Sequence, residues 1–159
     1  MWILRLGEKQ GQEFTSVLVD FFTYEVLETV IDRLEDGLFP DVRLELHGAG
    51  LMEIGATRSQ RVTVSYLPDD MREPPLYLID PGVPADPEVT VPVSVHPEPL
   101  EIALYRTVTR EMALRALLDF FFTGEIPRDL AWKSFWDDRT GPAGQPAAGP
   151  DPPGDAWPG

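Results

Sequence analysis

The chain has 159 residues, with 27 acidic against 13 basic side chains and a formal charge of −14. Its length is that of one ordinary domain, and 43% apolar residues suffice for a real core, which excludes disorder throughout. There is no cysteine, so disulfides, thiolate zinc sites, iron–sulfur clusters and a cysteine nucleophile are excluded.

Trp2, Leu4 and Leu6 alternate with Ile3 and Arg5, which predicts a short first strand. A polar turn over Gly7–Gln12 and a second strand over Phe14–Val19 follow. Thr23 suits the N-cap of a helix running to about Asp36, with Gly37 and Pro40 as the stop. Val26, Leu27, Val30, Ile31 and Leu34 recur at helical spacing and make one apolar stripe.

Strand-like alternation resumes at Val42, Leu44 and Leu46, with Arg43 and Glu45 opposite. Leu51–Ala56 and Arg61–Leu67 read as a hairpin that turns Val62, Val64 and Tyr66 to one face, and Leu76–Ile79 as a further strand. The Pro81–Pro99 stretch surrounds Val89, Val91, Val93 and Val95, and Pro92 confines that run to a sheet edge or an irregular extension. The last helix is the clearest element. Thr109 caps it, Met112, Ala113, Ala116, Leu117, Phe120 and Phe121 share one side, Gly124 lies just past its end, and Pro127 follows. Leu130–Phe135, with Trp132, closes the body as a strand.

This order predicts an α+β fold: a mainly antiparallel sheet of about five to seven strands with two main helices, over residues 1–136. Residues 137–159 are expected to form a disordered tail, since Gly141–Gly159 holds six prolines and five glycines. Without the tail the body keeps 23 acids against 12 bases, so the acidity belongs to the fold. Trp2 and Trp132 are expected in the core; for Trp136 both a packed and an exposed position are open.

Chemistry-bearing constellations are sparse. His47 and His96 are the only histidines, and they lack metal-ligand spacing. None of Ser16, Ser59, Ser65, Ser94 and Ser134 lies in a G-x-S-x-G elbow. Gly48, Gly50 and Gly55 miss the dinucleotide fingerprint. Carboxylate pairs such as Asp69–Asp70, Glu98–Glu101 and Asp137–Asp138 arise by chance among 27 acids. No calcium-loop pattern is present. The expectation is therefore a protein that is not an enzyme, with no catalytic residue, cofactor or metal assigned.

The charge speaks to partners. An excess of carboxylates repels nucleic acid and an anionic membrane surface alike, attracts cationic proteins and favours a monomer. Glu25, Glu28, Asp32, Glu35 and Asp36 all point away from the apolar stripe of the first helix. Glu28–Asp32 and Asp32–Asp36 are like-charge pairs, each costing about 0.2–0.5 kcal/mol, with only Arg33 to offset them locally. A solvated face and a ridge turned to a cationic surface are both open readings. The acidic turn Asp69-Asp70-Met71-Arg72-Glu73 is a second place of this kind. The partner-binding candidates are thus Glu25, Glu28, Asp32, Glu35, Asp69, Asp70 and Glu73.

The run from Thr109 through the Thr123-Gly124-Glu125-Ile126-Pro127 turn to Trp132 resembles the closing helix, "TG-x-x-P" turn and tryptophan of a bacterial immunity-protein family, the one numbered first among immunity proteins of polymorphic toxin systems. Leu51-x-x-Ile54-Gly55 followed by Val62–Tyr66 is similar to that family's glycine-containing hairpin. The resemblance implies a cytoplasmic immunity protein that neutralises a cognate toxin by stoichiometric binding without turnover; several such toxins are nucleic-acid deaminases. It supplies no catalytic residue. A toxin that handles nucleic acid presents a cationic cleft, which an acidic inhibitor can occupy. The alternatives are an adaptor or chaperone-like module for a secreted partner and, third, a metal-dependent enzyme using acids and His47.

Overall fold

The computed structural model describes residues 1–11, 13–35, 39–93 and 100–137. The elements are β1 (Trp2–Gln10), β2 (Glu13–Val19), α1 (Tyr24–Arg33), β3 (Asp41–Leu46), β4 (Gly50–Ala56), β5 (Val62–Pro68), β6 (Leu76–Leu78), β7 (Thr90–Val93), β8 (Leu100–Ala103), a 3-10 turn over Leu104–Arg106, α2 (Arg110–Thr123) and β9 (Trp132–Ser134). Seven strands form one antiparallel sheet in the order β2-β1-β3-β4-β5-β6-β9, and β7 and β8 pair separately. The α+β architecture with two helices is as the sequence predicts.

Register explains why one face is apolar. Leu4 stands opposite Leu44, Leu44 opposite Met52 and Met52 opposite Tyr66. One pleat along, Leu6, Val42, Ile54 and Val64 line up in the same way. Because side chains alternate between faces, a slip of one residue would send both rows to solvent. Both helices cover this face. α1 buries Leu27, Val30 and Ile31, and α2 buries Ala113, Ala116, Leu117 and Phe120. Each fully buried Leu, Ile, Val or Phe contributes about 1.5–3 kcal/mol of transfer free energy, so these rows dominate the fold's stability.

Phe120 anchors the seam. Its ring meets Trp2 edge-on at 5.1 Å and Tyr66 at 5.5 Å, tying the start of β1, the end of β5 and α2 together. Trp2 and Trp132 pack against the core, half-buried, and the Trp132 indole donates to the Pro127 carbonyl at 2.9 Å. Trp136 is exposed.

The caps differ. Thr109 is the N-cap of α2, and its hydroxyl accepts the Met112 amide at 3.2 Å. Thr23 holds the N-cap position of α1 but makes no such bond, because its hydroxyl donates to the Glu25 carboxylate at 2.9 Å. Gly124 ends α2 in the left-handed region at φ 75°, as the sequence predicts.

Several expectations need correction. The turn placed at Gly7–Gln12 is shorter, because β1 continues to Gln10 and pairs with β2 from Leu4 to Gln10. β1 beyond Leu6 has outrun β3, so the hairpin overhangs the sheet. The second half of the β7–β8 pair and the 3-10 turn had no strong periodic signal and went unpredicted. Asp36, Gly37, Ser94, Val95, His96, Glu98, Asp138 and the tail from residue 138 lie outside the described residues.

Candidate interaction surface

Glu25, Glu28 and Asp32 occupy one stripe of α1, at spacings of three and four residues that stack side chains over successive turns. Glu25 and Asp32 are exposed and Glu28 half-buried. Glu25 accepts from the Thr23 hydroxyl and from the neighbouring Tyr24 phenol, and no cation pairs with Glu25, Glu28, Asp32 or Glu35 among the described residues. The Glu25 carboxylate raises the Tyr24 phenol above its ordinary value, with a smaller push from Glu28. Glu35 is displaced from where the sequence put it: α1 ends at Arg33, and Glu35 lies beyond the cap, its backbone exchanging two 2.9 Å bonds with Phe39. It remains exposed.

The second acidic group lies on the β5–β6 loop, and two of its members have local duties. Asp69 accepts the Gly48 amide at 2.7 Å, pinning the β3–β4 turn. Asp70 accepts two side-chain bonds from Arg72, both at 3.0 Å, and that guanidinium holds its carboxyl below the usual range. Glu73 and Met71 are exposed. Burial raises the Tyr66 phenol, and Asp69 and Glu73 raise it further.

The two groups do not merge. β5 is three strands from β1 in the sheet, about 14 Å at ordinary strand spacing, and it is β1 that shares a groove with α1. A groove of about 760 Å³ between α1 and β1 has Leu6, Val26, Val30 and Phe39 among its lining residues, with Glu8, Glu25, Arg33 and Glu35 around them. The ridge is one surface and the loop another.

His47 sits exposed in the β3–β4 turn. Among the described residues no group of three or more histidine and carboxylate side chains is arranged to hold a metal, and no helix is long and apolar enough to cross a membrane.

What sequence reasoning missed is an apolar patch beside the ridge. Phe21 is fully exposed, and its φ of 55° makes it the one non-glycine residue with positive φ among the described residues. Tyr24 and Phe122 are exposed and lie 6.1 Å apart, centroid to centroid. Phe122 lies 5.3 Å from Phe121, which in turn lies 5.6 Å from Phe22. A ladder of rings thus runs from the core to the surface. The signal was present: three consecutive phenylalanines on a helix, Phe120–Phe122, fan over about 200° and cannot all face inward. No family model and no curated protein sequence matches the chain. The likeness to immunity proteins therefore rests on the residues quoted for it.

Proposed function

We propose that this chain is an immunity-type inhibitor that binds a cationic toxin domain, of the kind that acts on nucleic acid, and silences it by occupying its substrate-binding surface. The observation that carries this reading is the stripe of Glu25, Glu28 and Asp32 along α1, which no cation of the chain pairs with among the described residues. Unrelieved like charges at helical spacing are unfavourable by themselves, and a cationic surface laid against them turns that repulsion into attraction. On a body of charge −14, the same field steers encounter and lifts association from about 10⁵–10⁶ toward 10⁸–10⁹ M⁻¹s⁻¹ at low salt. Speed matters for an inhibitor of a toxin that acts as soon as it is free.

The experiment is co-expression with the product of the adjacent reading frame, followed by stopped-flow association of the purified pair across a salt series. Changing Glu25, Glu28 and Asp32 together to lysine is expected to slow association at least tenfold at low salt and flatten the salt dependence. Unchanged rates dismiss the ridge as the docking face. Turnover of a small molecule by the purified chain, abolished by one substitution, overturns the inhibitor reading. Secretion of the chain together with its partner favours the adaptor alternative.

A further inference from the structure

We infer that the outer edge of β2, ending at Phe21, is the docking strip for an extended segment of the cationic partner, which adds an eighth strand to the sheet; the choice of partner rests on the reading above. The two edges of the sheet are built differently. β9 is three residues long and carries exposed Lys133 at its centre, and a short edge with a lysine resists addition of a further strand. β2 is seven residues long, has neither lysine nor proline, and has no strand on its outer side among the described residues. Its backbone groups on that side are a template for strand pairing.

The side chains suit such a guest. Val17 lies opposite Leu6 and so shares the helix-bearing face, while Leu18 lies opposite Arg5 on the other. Both are exposed, so a strand laid alongside would cover apolar area on both faces. Phe21 then stands two residues past the strand end, fully exposed and in a backbone conformation that costs a bulky residue energy. Strain of that kind persists at binding and switch positions. Tyr24 and Phe122 offer ring faces close by in the α1 N-terminal region, where an arginine or aromatic side chain of the guest can stack.

Charge selects the occupant. Glu13 and Asp20 bracket the strand, and Glu25 follows at the first turn of α1. A second copy of this chain would bring two bodies of charge −14 edge to edge, whereas a guest with arginines at its ends meets carboxylates at both.

The test uses the full chain and three fluorescent peptides at about 0.15 M salt: alternating valine and threonine with arginines at both ends, the same peptide N-methylated at alternate amides, and an arginine-only peptide of equal charge. The first is expected to bind at least tenfold tighter than the other two and to slow hydrogen exchange within Glu13–Val19. Phe21→Gly is expected to weaken it at least fivefold without lowering the thermal midpoint, which separates docking from folding. Equal affinity for the N-methylated peptide, or protection elsewhere, overturns strand addition, and an unchanged affinity in Phe21→Gly overturns the anchor. If the arginine-only peptide binds as well and perturbs α1, the edge proposal falls while the cationic-partner reading stands. If none of the peptides binds, the edge proposal falls, and the cationic-partner reading is decided by the association of the purified pair across salt. A free chain that sediments as a dimer with β2 protected assigns the edge to self-pairing and overturns the proposal.

Discussion

The Arg110 guanidinium, in the first turn of α2, donates to the Leu34 carbonyl at the end of α1 at 2.6 Å, and also to the Ile31 carbonyl. The last carbonyls of a helix have no partner within it, so one cation closes α1 from the neighbouring helix and adds favourable charge at the negative end of its dipole. The bond spans 76 residues of chain and pins the end of α1 to the start of α2, while Tyr24 and Phe122 meet at the opposite ends, so the two helices lie antiparallel. Arg110→Ala removes two charged hydrogen bonds and is expected to cost about 2–3 kcal/mol, read as a fall in thermal midpoint on the order of 5–10 °C. Arg110→Lys, with a point charge in place of a fork, recovers only part of this.

Asp80 gives the fold an acid-sensitive joint. The Arg61 guanidinium donates to its carboxylate at 2.8 Å, and also to the Thr107 hydroxyl and carbonyl, both at 2.8 Å, in a half-buried network joining the start of β5 to the segment before α2. Arg61, with help from the Gly82 amide, holds the Asp80 carboxyl below the ordinary range. A carboxylate depressed in the folded state contributes stability above its unfolded value of about 3.9, and that contribution is lost as pH falls through the folded value. Asp80→Asn is therefore expected to cost about 1–2 kcal/mol at neutral pH and progressively less below about pH 4. Urea unfolding midpoints of both proteins across pH measure it. A gap that stays constant into acid would exclude the charge as its source.

Gly124→Ala tests the end of α2. At φ 75° an L side chain is strained, and its Cβ would come within 3.1 Å of Leu46 Cδ2. A loss of about 1 kcal/mol is expected in equilibrium unfolding.

Phe21 carries the opposite sign. Being fully exposed at positive φ, its ring has no buried area to lose. Phe21→Gly is expected to be more stable than Phe21→Ala by about 1 kcal/mol, because only glycine relieves the backbone. Equal midpoints for the two variants would show that the φ of this residue costs nothing.

The two-face logic of the sheet was legible because the apolar residues of β3, β4 and β5 keep period two, broken only by Leu51 and Leu67, which pair on the other face, and both helices because their stripes keep a period near 3.6. Thr109 and Gly124 were readable as caps from residue type alone. Glu35 was misplaced because helical periodicity continues past Arg33 in the sequence, whereas in the fold the chain turns at Leu34 to meet Phe39. The candidate carboxylates other than the half-buried Glu28 were legible as exposed residues, but not their duties: nothing near Asp69 in sequence announces Gly48, 21 residues away. The β2 edge was invisible for a similar reason, since which strand ends a sheet depends on pairing across the whole chain.

The strand order also shapes how the polypeptide is made. From β4 to β6 each strand pairs with the one synthesised just before it, and β3 joins β1 of the hairpin already formed by β1 and β2. Six strands can thus assemble in the order they leave the ribosome. Yet Leu44, Met52, Ile54 and Val64 find their full cover only when α2, some forty residues beyond β5, has emerged. A nascent chain stalled between β6 and α2 would hold a nearly finished sheet with its apolar face partly bare, the point in its synthesis at which it is most prone to aggregate.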